Sequence, residues 1–152
     1  MSLTRNVLRM VDGQLAQVTE HIEEAEATEI RGEWLNNARS GKKDRITAAY
    51  RRSTNATFKH RGKDIECDKD SRDDLYEIAL YVLMNDRFPA WFTGEWKCAD
   101  NSYLNISNVN ALKQIFSAMV EQTGELFTRM QGSKARIDSL QTIEEIQEFD
   151  DG

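Results

Sequence analysis

The first 25 residues carry apolar side chains at alternating steps of three and four. The positions are Leu8, Val11, Leu15, Val18, Ile22 and Ala25. This spacing is the a/d seam of a heptad helix, so it predicts a helical arm over residues 1–41. The seam needs a cover, which is either another chain or the protein's own domain. In the first case Leu8, Val11, Leu15, Val18 and Ile22 are the candidate oligomerisation or docking residues.

The pattern breaks around Gly32 and Gly41, and a small α+β domain with an acidic C-terminal end is expected over residues 42–152. The segment from Lys43 to Arg52 predicts a short helix with arginines on its outer face. The predicted boundary between arm and domain therefore lies just before this basic helix.

Two β-hairpins are predicted inside the domain. Apolar and polar residues alternate over 57–60 and 63–67, on either side of Arg61-Gly62, whose glycine can take the positive φ of a tight turn. A second hairpin is predicted over 95–106, with the side chain of Asp100 stabilising its tip.

Three helix starts are predicted from capping residues. Ser71 resembles the start of a capping box ahead of an apolar face, and Ser107 precedes the longest apolar stripe. Gly132-Ser133 is expected to kink or end that long helix, and Thr142 with Glu145 predicts a last turn. The predicted fold class is α+β: an N-terminal helical arm and two short β-hairpins forming a small antiparallel sheet, packed against one medium and one long α-helix.

The net charge of −6 is unevenly distributed along the chain. Half of the twenty Lys and Arg residues lie between residues 31 and 63, whereas the chain after Asp138 is acidic. Such asymmetry can steer association with nucleic acid, or it can pair a basic surface with an acidic one on a neighbouring chain. The N-terminus lacks the apolar stretch of a signal peptide, and no segment predicts a membrane span. We therefore expect a soluble, unsecreted protein that is made in the cytosol, with Cys67 and Cys98 as reduced thiols.

The sequence offers little that indicates catalysis. The run from Asp64 to Asp70 has the spaced carboxylates of a calcium loop, but Lys69 takes the place of the glycine and Leu75 that of the bidentate glutamate. The sequence also shows no paired Cys or His ligands at zinc-site spacing, no glycine-rich phosphate loop and no recognisable pair of nucleophile and base. We expect no cofactor, no metal and no enzymatic activity.

Several exposed residues are instead predicted to contact partners. Trp91 follows Pro89 in an aromatic-rich loop, where an exposed indole favours a partner pocket, whereas Trp96 is expected in the core. The basic stretch over 42–63, with Arg45, Arg51 and Arg52, could contact an acidic partner or a phosphate backbone.

From the basic helix onward, the order of parts resembles a domain of unknown function found in tail-fibre, tail-fibre-assembly and other tail proteins of tailed bacteriophages. The resemblance rests on RITAAYRRSTNATFKHRGKDIECDKDSRDDL, on GEWKCADNSYLNIS, on the long helix from Asn108 and on IDSLQTIEEIQ, and it spans roughly residues 43–149. Trp96, Ala99 and Asp100 stand where that family has its Trp-x-x-Ala-Asp hairpin. The N-terminal segment lies outside the resemblance.

The resemblance implies a phage setting and no particular chemistry. The expectation is a virion or tail-associated structural or adaptor protein, synthesised in the host cytoplasm, which binds itself as a homo-oligomer and binds other tail proteins. One alternative is a tail-fibre assembly chaperone that binds the fibre transiently. Another is a small nucleic-acid-binding protein that uses the basic stretch over 42–63.

Overall fold

The computed structural model describes residues 4–11, 14–21 and 23–150, apart from the side chains of Val11, Leu15, Ala16, Thr19 and His21. The chain divides into two compact units. One unit comprises residues 44–136. The other comprises the residues up to 43 together with those from 137 onward.

The N-terminal segment is a β-hairpin, so the prediction of a helical arm is wrong there. Strand β1 (Thr4–Val11) pairs antiparallel with β2 (Gln14–His21), with Val7 opposite Val18 and Leu8 opposite Gln17. Neighbouring side chains on a strand point to opposite faces, so Leu8 and Val18 do not share a seam. Arg5 and Arg9 both form ion pairs with Glu20, and these cross-strand contacts favour the hairpin.

Helix α1 runs without interruption from Glu24 to Thr54. Gly32 and Gly41 were expected to break the pattern, but both lie within the helix, where a Cβ would meet nothing within 4 Å. An exposed glycine weakens a helix by about 1 kcal/mol relative to alanine, which a helix of this length tolerates. The predicted short basic helix is therefore the end of α1.

Both predicted hairpins of the later chain are confirmed. Strands β3 (Thr57–His60) and β4 (Lys63–Glu66) flank Arg61 and Gly62, whose φ values of 50° and 77° are those of a type I′ turn. Strands β5 (Glu95–Lys97) and β6 (Tyr103–Asn105) flank a turn in which the Ser102 amide donates to the Asp100 carboxylate over 2.9 Å.

The two hairpins form separate two-stranded sheets that meet at one point. Ile65 and Cys98 form an isolated antiparallel bridge, and the Ala99 amide donates to the Asp64 carbonyl over 2.9 Å. The expected sheet is thus two short antiparallel ladders joined side by side.

The remaining helices begin close to their predicted starts. Helix α2 (Lys69–Asn85) is capped by Asp68, which accepts a hydrogen bond from the Ser71 amide over 2.8 Å, so Ser71 is not the cap. Helix α3 (Val109–Ser139) is capped by Asn108 rather than by Ser107.

Helix α3 continues through Gly132-Ser133, where a kink or an end was expected. Ser133 is only 8% exposed, so the helix is packed at this point rather than broken. Helix α4 (Ile143–Glu148) has the predicted capping box of Thr142 and Glu145.

The main core lies in the unit of residues 44–136 and confirms the α+β class. Its buried members come from β3, β4, β5, α2 and α3 and from residues next to the strands. They include Phe58 and Ile65 from the first hairpin, Cys98 beside the second, Leu75 and Ile78 from α2, and Leu112, Ile115 and Met119 from α3. Trp96 is 8% exposed and belongs to the core, as predicted.

Candidate protein-docking surface

An apolar groove of about 410 Å³ lies between α2 and the first half of α3. The α2 side is formed by Tyr76, Leu80 and Leu83, and the α3 side by Val109, Leu112 and Phe116. Tyr76 and Phe116 meet edge to face with their ring centres 5.4 Å apart, which fixes one end of the groove. We call this the α2/α3 groove.

Helix α2 is apolar on more than one side. Leu75, Ile78 and Val82 face the core and are at most 5% exposed. On the outer side, Leu80, Leu83 and Met84 are 58%, 82% and 75% exposed. A helix with one core normally exposes a polar face to water, so this second apolar face favours a partner.

Two charged, exposed residues lie at the rim of the groove. Lys113 of α3 and Asp86, the residue that ends α2 with a φ of 55°, line the rim. At the other end of α2, the hydrogen bond from the Ser71 amide lowers the pKa of the Asp68 carboxyl. The helix start therefore stays negatively charged at neutral pH, and it continues into Asp70, Asp73 and Asp74.

The five predicted docking residues of the N-terminal segment are not brought together on a helix. Leu8 is 70% exposed on β1, and Val18 is half-buried on the other face of the hairpin. Val11 and Leu15 lie in the two strands, with side chains outside the described part, and Ile22 lies outside the described residues altogether. Met10, which the heptad pattern missed, shares the face of Leu8 and is 65% exposed.

Trp91 lies where the sequence suggested, in an exposed aromatic loop. Its side chain is 59% exposed, and its ring meets Phe92 edge to face at 6.3 Å. Phe92 in turn contacts Phe88 at 5.1 Å, and both phenylalanines pack against the core. The packed phenylalanines thus fix the loop to the core, while the indole of Trp91 stays exposed.

The basic stretch separates into paired and unpaired residues. Lys59 pairs with Asp64 at 2.7 Å, and Lys63 donates to the Ser102 hydroxyl over 2.7 Å. Arg45, Arg51 and Arg52 are exposed on α1, and within the described residues no ion pair involves them. The charge of these three arginines is therefore available for a partner.

Polar contacts beside the core link elements of the fold to one another. Arg72 donates to the Thr54 carbonyl and, over 3.6 Å, to the Cys67 sulfur, so it links the end of α1 to the start of α2. Cys67 and Cys98 are both buried. Across the described residues, no group of three or more His, Cys, Asp or Glu side chains is arranged to hold a metal ion.

The carboxylates that resembled a calcium loop are engaged one by one in the fold. Asp64 pairs with Lys59, Glu66 pairs with Lys97 at 3.0 Å, and Asp68 caps α2. Their spacing in the sequence therefore serves strand pairing and helix capping.

No surface role was predicted for Leu80, Leu83 and Met84, although the sequence holds a signal for one. The segment from Ile78 to Met84 is an unbroken run of apolar and aromatic residues. A helix that covers one core needs only a stripe of them, so the surplus predicts a second covered face.

The comparisons with known proteins give a family and no activity. The profile of a family described as a domain of unknown function (DUF4376) matches residues 37–151. No curated protein and no solved structure matches the chain significantly. None of the helices in the described part is both long enough and apolar enough to cross a membrane.

Proposed function

Since the chain belongs to the domain-of-unknown-function family DUF4376, whose description names no activity, we propose that it is a structural or adaptor protein of bacteriophage tails. It acts by binding proteins, both a second copy of itself and other tail components. It needs no cofactor for this work.

One observation supports binding above all: the outer face of α2 is apolar while its inner face is anchored. Leu80, Leu83 and Met84 are mostly exposed, yet the same helix is fixed in the core by Leu75 and Ile78. An apolar surface on a rigid support loses little conformational freedom when a partner covers it. The α2/α3 groove beside it offers the concave site that a partner's side chains need.

The phage setting follows from the resemblance described above, which covers most of the matched region. Tail proteins of phages work by assembly, and an exposed apolar face fits that work. The exposed Trp91 adds a second anchor of the type that interfaces favour.

Quantitative mass spectrometry of purified phage particles tests the proposal. The chain, carrying an affinity tag and expressed from the genome that encodes it, is expected at a fixed ratio to the tail proteins. The Leu83→Asp variant is expected to be depleted, whereas Tyr103→Asp, a change at a similarly exposed residue of β6, is expected to be retained.

The same experiment separates the alternative role of an assembly chaperone. A chaperone would bind the tail fibre in the lysate but be absent from finished particles. If the chain bound no tail protein in lysate or particle, the proposal would be wrong.

A second candidate function, nucleic-acid binding, is favoured by the exposed arginines of α1. Arg45 and Arg52 are seven residues apart and therefore lie on one side of the helix, with Arg51 beside them. This function predicts DNA or RNA binding that weakens steeply with salt and is lost in Arg51→Glu/Arg52→Glu. Arg129→Glu/Lys134→Glu, which makes the same change of charge on α3, is the control. Binding that does not depend on salt, or that is unchanged in Arg51→Glu/Arg52→Glu, would exclude nucleic-acid binding through these arginines.

A further inference from the structure

We propose that α2 pairs antiparallel with α2 of a second copy, so that the outer faces of the two helices cover each other. This inference rests on the self-association named in the proposed function and specifies how it takes place. It concerns how two copies of the chain join, and it holds or fails irrespective of any phage particle.

The apolar residues of the outer face form a continuous row along α2. Tyr76, Leu80, Leu83 and Met84 are spaced by four, three and one residues, which keeps them on one side of the helix. Leu80 lies at the middle of the row. A second copy related by a twofold axis that passes perpendicular to α2 at Leu80 would set Tyr76 of one chain against Met84 of the other.

The charges at the two ends of the row decide the direction of pairing. The N-terminal end is acidic, with Asp70, Asp73, Asp74 and Glu77 around it and with Lys69 already paired to Asp73 at 2.7 Å. The C-terminal half has the exposed Arg87 just after the helix and Lys113 on the rim of the groove, against a single acid, Asp86.

An antiparallel pair places the acidic end of each helix beside Arg87 and Lys113 of the other copy. A parallel pair would place acidic end against acidic end, which is destabilising. The complementarity is within one sequence, so a twofold symmetric, isologous contact satisfies both ends at once. This is the reason to assign the face to a second copy rather than to an unrelated chain.

The α2/α3 groove supplies the room that the contact needs. Leu83 protrudes, at 82% exposure, whereas the groove beside it is concave and lined by Val109, Leu112 and Phe116. Each copy therefore offers both a ridge and a hollow. Two antiparallel copies can insert ridge into hollow twice, in the manner of helices in a bundle.

Sedimentation velocity over protein concentrations from about 1 to about 300 µM tests the pairing. The unaltered full chain is expected to dimerise reversibly. Leu83→Asp is expected to raise the dissociation constant at least about tenfold, since it buries a charge at the centre of the contact. Leu8→Asp, a matched change of a 70% exposed leucine on β1, is expected to leave dimerisation unchanged. Both sites are exposed, so circular dichroism should show both variants folded.

A charge exchange tests the antiparallel direction. Arg87→Glu alone sets acid against acid in the dimer, and Asp73→Lys/Glu77→Lys alone sets base against base, so each variant is expected to dimerise more weakly. A mixture of the two variants has complementary ends throughout. It is expected to form mixed dimers within about threefold of the unaltered affinity.

Three results would overturn the inference. These are a chain that is monomeric at every concentration, a dimer weakened by Leu8→Asp but not by Leu83→Asp, and a mixture that associates no better than its components. A monomeric chain whose Leu83→Asp variant still failed to enter particles would remove self-association from the proposed function, would leave the binding of other tail components standing, and would assign the face to another protein.

Discussion

The β1–β2 hairpin is longer than the β3–β4 hairpin, yet its side chains are less buried. The strands of β1–β2 have eight residues each, and none of their described side chains is buried. The strands of β3–β4 have four residues each, yet Phe58 and Ile65 are 3% and 0% exposed. A two-stranded hairpin is marginal in water without an apolar face to cover. The difference teaches that the short hairpin is the structural one, whereas the long one is held mainly by cross-strand pairs.

The largest expected effect comes from removing a buried side chain of the short hairpin. Ile65→Ala is expected to lower the free energy of unfolding by about 2–5 kcal/mol, because it empties a fully enclosed site where the two small sheets meet. Leu8→Ala on β1 removes a leucine that is 70% exposed, so its expected effect is within about 0.5 kcal/mol. Urea denaturation followed by circular dichroism measures both.

Equal losses in these two variants would contradict the comparison. They would mean that Leu8 is covered in solution, and a dependence of its effect on protein concentration would then identify the cover as a second copy. If the loss of stability depended on protein concentration for Leu83→Ala but not for Leu8→Ala, the result would agree with pairing through α2.

The two hairpins also show what the sequence could and could not predict. At β3–β4, alternation over four residues on each side of Arg61-Gly62 left one interpretation, and it was correct. At β1–β2, the steps of three and four between Leu8, Val11, Leu15 and Val18 fitted a helix, because apolar spacing does not register the cross-strand ion pairs that Glu20 forms with Arg5 and Arg9.

The helices were predictable in kind but less so in extent. The caps of α2 and α3 lie within three residues of the predicted ones, because Asp68 and Asn108 cap as well as the nearby serines. The length of α1 was missed, since Gly32 and Gly41 counted as breaks although neither has a steric role. The α2/α3 groove could not be predicted at all, because it depends on which residues of two distant segments become neighbours.

The turn of the short hairpin gives a smaller effect than its core. Gly62 has a φ of 77°, in the left-handed region, so Gly62→Ala is expected to lower the free energy of unfolding by about 1–2 kcal/mol although nothing lies within 4 Å of the new Cβ. Gly124→Ala, in the interior of α3 and equally open, is expected to raise it by about 0.5–1 kcal/mol. Opposite signs for the same chemical change, measured by urea denaturation, would confirm that backbone conformation sets the result. A loss at both sites would contradict it.

Ion pairs should matter more to the long hairpin than to the short one. Glu20→Gln removes the pairs with Arg5 and Arg9 on β1–β2, whereas Glu66→Gln removes a pair with Lys97 beside β3–β4. Exposed pairs contribute about 0.2–1 kcal/mol each, and salt weakens them. Amide hydrogen exchange is therefore expected to quicken in residues 4–21 of Glu20→Gln at low salt, and to change little in residues 57–66 of Glu66→Gln. Faster exchange in the short hairpin alone would show that burial is not what holds it.

The smallest expected effect is a pH dependence that belongs to the short hairpin. Burial, and secondly the nearby charge of Arg61, lower the pKa of His60 on β3 below its ordinary value of 6.5. As the pH falls below that value, the unfolded chain binds a proton before the folded one does, so stability is lost between pH 6.5 and the lowered pKa of His60. His60→Gln is expected to be less sensitive than the unaltered chain when urea midpoints at about pH 7.5 and about pH 5.5 are compared. The carboxyls with lowered pKa values, Asp68, Asp100 and Glu145, titrate in a more acidic range and do not enter this interval. An equal fall of the urea midpoint in the unaltered chain and in His60→Gln would mean that His60 titrates as freely when folded as when unfolded. The covered face of the short hairpin would then not extend to this strand end.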